Sequence, residues 1–303
     1  LTCQSLLSHT YMTSMARYFD TGRGKALSIA MLGHPIGEAI FPVFTVALLT
    51  VLGWRDVWLI YAAVGGALFF PVLLWLLRGH NKRHQNYLAR LKEPTTSSRE
   101  AGRQWCQGEV LRDVRFYLIQ LAMMAPPFMF TGLFIHQAHL AEAKGWSLAW
   151  LATCFSVYAA TSIIASLTMG PLIDRIGATR IAPWALLPVV FSMLILAFFS
   201  HPSSTLVFMA GLGLCMGMVF TTFTAIWAEL YGVRHLGAIR SVVMAIMVLV
   251  SAIAPAIMGW LFDAGIAVET LALVFAAWAF IGWLLLLVVL RRWKSAPVEA
   301  SEA

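Results

Sequence analysis

His34 and Glu38 are the two residues whose types and spacing are best suited to chemistry. They lie four residues apart in an apolar stretch, so on a helix they share one face. A carboxylate and an imidazole side by side and away from water could bind a proton and release it again. The pair could equally form a structural hydrogen bond between two helices. We predict a proton-binding site here, with the hydrogen bond as the alternative.

Further polar residues interrupt other apolar stretches, where they could line a binding cavity or form hydrogen bonds between helices. His136 and His139 are three residues apart and could chelate a metal. Their position close to the end of a stretch indicates a solvated rim instead, and we predict no metal site. Besides His34 and Glu38, the candidates for binding substrate or protons are His9, Thr131, His136, Tyr158, Thr221 and Thr222.

The composition indicates what surrounds these residues. Of the 303 residues, 60% are apolar and 12% are charged, whereas soluble domains have roughly 45–50% apolar and about 25% charged residues. The mean hydropathy is +0.79. A globular core of this length could not hide so much apolar surface, which excludes a soluble domain and a disordered chain. The chain is predicted to be an integral membrane protein with the lipid bilayer as its partner.

Apolar stretches long enough to cross a bilayer recur along the chain. About 20 helical residues span the ~30 Å hydrocarbon core, and in lipid the backbone groups must be hydrogen-bonded within the segment. We predict an all-α bundle with eight complete spans and a partial one at residues 1–16. The complete spans are 26–54, 57–77, 116–141, 145–173, 181–200, 202–228, 241–262 and 270–290.

The basic residues predict the orientation of this bundle. Of the 21 Lys and Arg residues, all except Arg55 and Lys144 fall in loops on one side. The positive-inside rule makes that side cytoplasmic, and it explains the net charge of +7 without a nucleic acid as partner. Residues 79–113 are then a cytoplasmic linker and residues 295–303 a cytoplasmic tail. The expected location is a plasma membrane, the inner membrane of a bacterium.

An internal repeat relates the regions on either side of the linker. Tyr18, Gly24, Pro42 and Arg78 each lie 213 residues before a residue of the same type, namely Tyr231, Gly237, Pro255 and Arg291. Both copies run in the same membrane direction, as in halves related by an axis along the membrane normal. The repeat predicts six helices per half, with the first three and part of the fourth missing ahead of residue 1. Residues 1–78 would hold helices 4–6, and residues 114–294 helices 7–12.

One cytoplasmic loop carries a family resemblance. Residues 170–180 read GPLIDRIGATR and resemble the G-x-x-x-D-R-x-G-x-x-R loop of the major facilitator superfamily, in the copy between helices 8 and 9. The resemblance implies two pseudo-symmetric halves and a conformational gate. Because a carboxylate can accept donors from a neighbouring helix N-terminus, we expect Asp174 to lie against the helix start at residues 24–30. The gate motif comprises Gly170, Asp174, Arg175, Gly177 and Arg180.

A narrower resemblance is to the monocarboxylate transporter and oxalate–formate exchanger branch of that superfamily. It rests on Tyr18-Phe19 with Arg23-Gly24-Lys25-Ala26, on Gly53-Trp54-Arg55, and on Tyr231-Gly232 with His235-Leu236-Gly237. It implies a secondary active transporter that moves a small organic solute, such as a monocarboxylate or another organic anion, by alternating access with proton coupling. Residues 147–169 and 241–262 contain no basic residue for a substrate carboxylate. This favours the alternative, efflux of drugs or metabolites.

Two other classes fit the sequence less well. An intramembrane enzyme would need a nucleophile with its base or a metal motif, and neither His-Glu-x-x-His nor Gly-x-Ser-x-Gly occurs. A receptor of seven helices would not carry the repeat. We therefore expect no enzyme activity, no cofactor beyond a coupling ion, and a small-molecule substrate bound by a monomer.

Overall fold

A computed structural model describes residues 29, 33–77, 85, 104–232 and 234–295. The regular structure of these residues is entirely helical, which confirms the predicted all-α class. The chain divides into two compact units, one of residues 37–101 and one of the remaining residues.

In the smaller unit, two apolar helical segments meet at Tyr61. Helix α1 (Gly33–Leu49) is followed after a short turn by α2 (Trp54–Val64), which continues through a π-helical segment (Gly65–Phe69) into α3 (Phe70–Leu77). The Tyr61 hydroxyl lies 2.7 Å from the Thr45 Oγ1, and its ring lies 5.8 Å edge-on from that of Phe41. The two hydroxyls satisfy each other, which lets this otherwise apolar pair of segments pack without an unpaired polar group.

The larger unit contains most of the long helices. Six described segments are long and apolar enough to cross a membrane, five of them in this unit, where Trp184–Phe198 is a shorter apolar helix. The elements of this unit are α4 (Gln107–Val110), α5 (Val114–Ile135), α6 (Gln137–Lys144), α7 (Leu148–Ile176), α8 (Ala178–Ile181), a 3₁₀ turn (Trp184–Leu186), α9 (Leu187–Phe198), α10 (Ser204–Tyr231), α11 (Leu236–Asp263) and α12 (Val268–Ser295).

Helix α10 is central to the packing of the larger unit. It packs along α7 and also along α9, while α12 packs against α9 and α5, and α11 packs against α5. Two glycines of α10 allow the close approach to α7. A Cβ on Gly213 would lie 2.9 Å from the carbonyl carbon of Tyr158, and one on Gly217 would lie 2.7 Å from the Cβ of Ala165. Small residues of this kind let two helix backbones pack closely where no hydrophobic effect drives association.

Two predicted boundaries are wrong. The predicted span 116–141 is divided at His136, where the backbone leaves the helical conformation with φ −95° and ψ 22°. The carbonyl of Gly132 accepts both the His136 backbone N–H at 3.1 Å and the His136 Nδ1 at 3.0 Å. Helix α5 therefore ends at Ile135, and α6 begins at Gln137. Helix α11 begins at Leu236 rather than near residue 241, so Arg240, predicted in a loop, lies inside a helix and is 5% exposed.

Candidate functional site

Among the residues that the structure describes, four buried side chains of α5 and α10 hold polar atoms without a hydrogen-bond partner. One is the Oγ1 of Thr205 at the start of α10; the others are both amide atoms of Gln120, the Oγ1 of Thr222 and the Nε1 of Trp227. Gln120 is 2% exposed, Thr222 is fully buried and Trp227 is 1% exposed. An unsatisfied buried group costs about 1–3 kcal/mol, so these last three side chains, which lie away from the start of α10, need an explanation.

Gln120 and Trp227 lie along the same interface between helices. The ring of Phe116 lies 5.3 Å from that of Trp227, and Gln120 is one helical turn further along α5 on the face of Phe116. Thr222 lies deeper along α10 than Trp227, on the side away from the helix end at Tyr231. Thr222 is five residues from Trp227, so with 3.6 residues per turn the two side chains leave α10 in different directions. Gln120 and Trp227 therefore lie along the interface between α5 and α10, and Thr222 is buried on another side of α10. We call Gln120, Thr222 and Trp227 the polar triad.

The end of this interface is closed by a hydrogen-bonded cluster. The Tyr231 hydroxyl donates to the Asp113 Oδ2 at 3.2 Å. The other oxygen of Asp113 accepts from the backbone N–H and the Nε of Arg115, both at 3.0 Å. Asp113 is also the N-cap of α5, so one carboxylate both caps α5 and ties it to the last residue of α10. The triad is separated from the basic end of the bundle by these contacts and by the aromatic ring of Phe116.

The structure places the sequence-predicted threonines and Tyr158 within or between helices of the larger unit. Thr131 Oγ1 lies 2.7 Å from Ser251 Oγ and links α5 to α11. Thr221 Oγ1 donates to the Gly217 carbonyl of its own helix at 3.1 Å. Tyr158 is fully buried, with its ring 5.3 Å from that of Phe134. Thr222 is the one of these candidates that belongs to the triad.

His136 lies at the other end of α5, away from the triad. Its ring is 5.4 Å from that of Phe262, and the ring of His139 is 4.3 Å from Phe262. Within the described part of the chain, no three His, Cys, Asp or Glu side chains are grouped to hold a metal ion. The two histidines thus flank one aromatic ring of α11.

The remaining substrate or proton candidates belong to the first part of the chain. His9 lies outside the described residues. His34 and Glu38 lie on α1, and their side chains are likewise outside the description. The proton site therefore stays a prediction. So does the repeat, because Tyr18 and Gly24 are not among the described residues.

The gate motif forms the turn from α7 to α8. Gly170 is buried in α7, whereas Asp174, Arg175 and Arg180 are exposed. Gly177 makes the turn with a φ of 87°, a conformation that side chains beyond glycine rarely adopt. The helix start at residues 24–30, expected to receive Asp174, is outside the described residues except for Ile29.

A carboxylate that the sequence did not identify holds this turn. Glu229 of α10 accepts from the backbone N–H of Ala178 at 2.6 Å and from that of Thr179 at 3.0 Å. The turn after Gly177 is therefore locked to the end of α10 by two charge-assisted hydrogen bonds, and a carboxylate at a helix N-terminus also interacts favourably with the helix dipole. The sequence signal was a single acidic residue directly after a long apolar span.

Glu229→Ala should lower the free energy of unfolding by about 1 kcal/mol, as loss of a helix-capping side chain does. The reason is that the first N–H groups of α8 lose both acceptors. The measurement is equilibrium unfolding in mixed micelles. Glu142→Ala, which removes an exposed carboxylate from α6, is the matched control and should change stability by less than about 0.5 kcal/mol. Equal losses in the two variants would contradict the assignment of Glu229 as the lock.

Trp227 has a position that its place in the sequence does not indicate. A tryptophan close to the end of a span is usually an anchor at the membrane surface. Trp227 instead lies inside the bundle, stacked on Tyr231 at 6.0 Å with an interplanar angle of 16°. Neither Gln120 nor Arg240 was identified from the sequence. The signals were available, since Gln120 interrupts an apolar span and Arg240 lies just outside another.

Comparison with known proteins assigns the family. A search of curated proteins finds no match to the chain. The model of the Major Facilitator Superfamily matches residues 2–150 and, separately, residues 121–303. The two matches together cover nearly all of the chain, and the helices described above are those of an integral, multi-pass membrane protein. The chain belongs to the Major Facilitator Superfamily, a superfamily of membrane transporters.

Proposed function

We propose that the protein is a secondary active transporter that moves a small organic solute by alternating access and couples this movement to protons. The observation that carries the proposal is the polar triad. Unpaired polar atoms inside an apolar membrane bundle are costly, and in membrane proteins such groups mark pathways for substrates and ions. In the proposed cycle, Gln120 and Thr222 gain partners when the larger unit changes conformation and solute or water enters.

The proposed binding residues combine the triad with the sequence candidates. Gln120 offers two donors and an acceptor site, and the hydroxyls of Thr222 and Tyr158 add groups that both donate and accept. This set suits a solute with carbonyl, carboxylate or hydroxyl groups. The further proposed contacts are Thr131, Thr221, His136 and His9.

The proposed proton site is the pair His34 and Glu38. Two ionisable groups at i and i+4 within an apolar helix can exchange a proton, and an intramembrane carboxylate is a functional candidate because its burial is costly without a role. Uptake of solute with a proton would couple the solute to the pH gradient.

The test uses the full-length protein in proteoliposomes with a trapped pH-sensitive dye. Adding lactate or formate outside should acidify the interior faster than in protein-free vesicles, which report passive entry of the neutral acid. Glu38→Gln should slow the protein-dependent acidification at least tenfold, because an amide cannot carry the proton. Exchange of labelled for unlabelled solute should continue, since it needs no net proton movement.

Glu142→Gln is the control for that experiment, because it removes an exposed carboxylate from α6. It should acidify the vesicles like the unchanged protein. Unchanged proton-coupled accumulation in Glu38→Gln would overturn the proton assignment. Absence of both acidification and exchange with every tested acid in the unchanged protein would overturn transport of monocarboxylates.

We propose that the basic side of the bundle faces the cytoplasm and that the gate opens there. Support comes from the excess of Lys and Arg in loops on that side. Gly170, Asp174, Arg175, Gly177 and Arg180 form the gate motif, and Glu229 holds its turn in the closed arrangement. Release of the Glu229 contacts would free the turn between α7 and α8 during the cycle.

One observation bears on the choice between an organic anion and an efflux substrate. Arg240 is buried inside α11, although the sequence indicated no basic residue within that helix. A buried guanidinium is a suitable group to attract and orient a carboxylate. We therefore favour an organic anion, such as a monocarboxylate, over an uncharged drug or metabolite.

A further inference from the structure

A groove of about 380 Å³ runs along the surface of the larger unit between α9 and α10. Its rims are bulky apolar side chains with large exposed fractions. Trp184 is 52%, Phe191 63% and Val207 57% exposed. In a membrane-spanning bundle such residues face lipid, so the groove opens to the bilayer.

The floor of the groove offers no free polar group. Ser192 is the polar residue of the lining, and its hydroxyl is directed to the carbonyls of Pro188 at 3.0 Å and Phe208 at 3.1 Å. Gly211 lets α9 and α10 pack closely at the floor of the groove. A Cβ at this position would meet the Ser192 hydroxyl and lie 3.1 Å from the Pro188 carbonyl. The shape and chemistry of the groove therefore suit a hydrocarbon chain.

The length of the groove is that of one acyl chain. Its lining extends from Trp184 to Ile195 on one side and from Val207 to Met218 on the other. At ~1.5 Å per helical residue, each side is roughly 16 Å long. Two acyl chains end to end span the ~30 Å hydrocarbon core, so one chain is about this long. The groove runs from Trp184 towards the loop between α9 and α10.

A positive charge lies at the mouth of the groove. Arg180 precedes Trp184 by four residues, and both are exposed, which places them on one face of nearly helical backbone. Among the residues that the structure describes, Arg180 has no ion pair, and the nearby Glu229 carboxylate is directed to the Ala178 and Thr179 backbone. Arg180 precedes the apolar helix Trp184–Phe198, and a long basic side chain next to an apolar segment can extend its charged group towards the headgroups.

We propose that this groove binds one acyl chain of an anionic phospholipid, whose headgroup pairs with Arg180. The groove supplies the apolar contact and the guanidinium supplies selectivity for negative charge. This lipid site is separate from the proposed solute site and does not depend on which solute is carried.

The experiment measures lipid binding to the full-length protein by native mass spectrometry, with phosphatidylglycerol and phosphatidylcholine of identical acyl chains. The unchanged protein should prefer phosphatidylglycerol about fivefold, the effect of one basic residue near an anionic surface. Arg180→Gln should abolish the preference. Leu214→Trp and Ala210→Trp, which fill the groove, should weaken the binding of both lipids at least fivefold.

Two control variants separate the effect of the groove from the general effect of removing a charge or adding an indole. Arg112→Gln removes another exposed guanidinium, and Ala277→Trp adds an indole to an exposed position of α12. Neither residue lines the groove, so both variants should bind like the unchanged protein. Equal binding of the two lipids by the unchanged protein, or full binding by both groove-filling variants, would overturn the proposal. A dimer that is lost only in the groove-filling variants would also overturn it, because a second copy would then be the occupant.

Discussion

Glu269→Ala should destabilise the folded protein by about 3 kcal/mol, whereas Lys144→Met should cost less than about 1 kcal/mol. The two residues form an ion pair at 2.7 Å between the end of α6 and the start of α12, but the Lys144 side chain is 1% exposed and that of Glu269 is 43% exposed. Losing the carboxylate leaves a buried ammonium group without its counter-charge. Losing the ammonium leaves a carboxylate that water can still solvate, while methionine retains the apolar stem of the lysine.

The measurement is equilibrium unfolding of both variants and of the double variant in mixed micelles. Once Lys144 is methionine, adding Glu269→Ala should change stability by less than about 0.5 kcal/mol, since no buried charge remains to be compensated. Equal destabilisation by the two single variants would show that the burial of Lys144 does not determine the energetics of the pair.

Gly213→Ala and Gly237→Ala should change stability in opposite directions. A methyl group at Gly213 would lie 2.9 Å from the carbonyl carbon of Tyr158, and a helix backbone cannot move aside as a side chain can. Helices α7 and α10 must then separate, at a cost of about 3 kcal/mol. At Gly237, near the start of α11, a methyl group meets nothing within 4 Å. Alanine there should stabilise the protein by up to about 1 kcal/mol through its higher helix propensity.

The same substitution at the two positions makes each variant the control of the other. Unfolding in mixed micelles provides the free energies, and cysteine cross-linking between α7 and α10 would report their separation directly. Stabilisation of both variants, or an unchanged distance between α7 and α10 in Gly213→Ala, would contradict the close packing of these helices.

The sequence predicted the helical class and most of the spans because hydropathy is a local property. Any window of about 20 apolar residues reads as a helix in lipid, regardless of which helix it later contacts. The division at His136 was not predicted, because it lies in the backbone angles of a single residue, which the hydropathy of the surrounding window does not encode. The start of α11 was placed too late, because the boundary was set where charged residues end and Arg240 was counted as loop.

Candidate residues were predicted with more difficulty than spans. Thr131 was identified as a polar residue in an apolar span, but its partner Ser251 is 120 positions away. Glu229 and Trp227 both lie at the end of a span, a sequence position that is typical of the membrane surface. Whether such a residue faces headgroups, a loop or the bundle interior depends on the rotation of the helix, which its own hydropathy does not determine.

By itself, the sequence determined that this protein lies in a membrane and predicted which segments cross it, and its Lys and Arg distribution favours one orientation. These properties follow from the free energy of transferring each segment into lipid, which sums over neighbouring residues. The tertiary structure decided which polar groups are paired. Glu229 holds a turn 50 residues earlier, and Gln120 has no hydrogen-bond partner among the residues that the structure describes. Hydrogen bonds and ion pairs between helices depend on the packing of segments that are distant in the chain, and no local pattern encodes that packing.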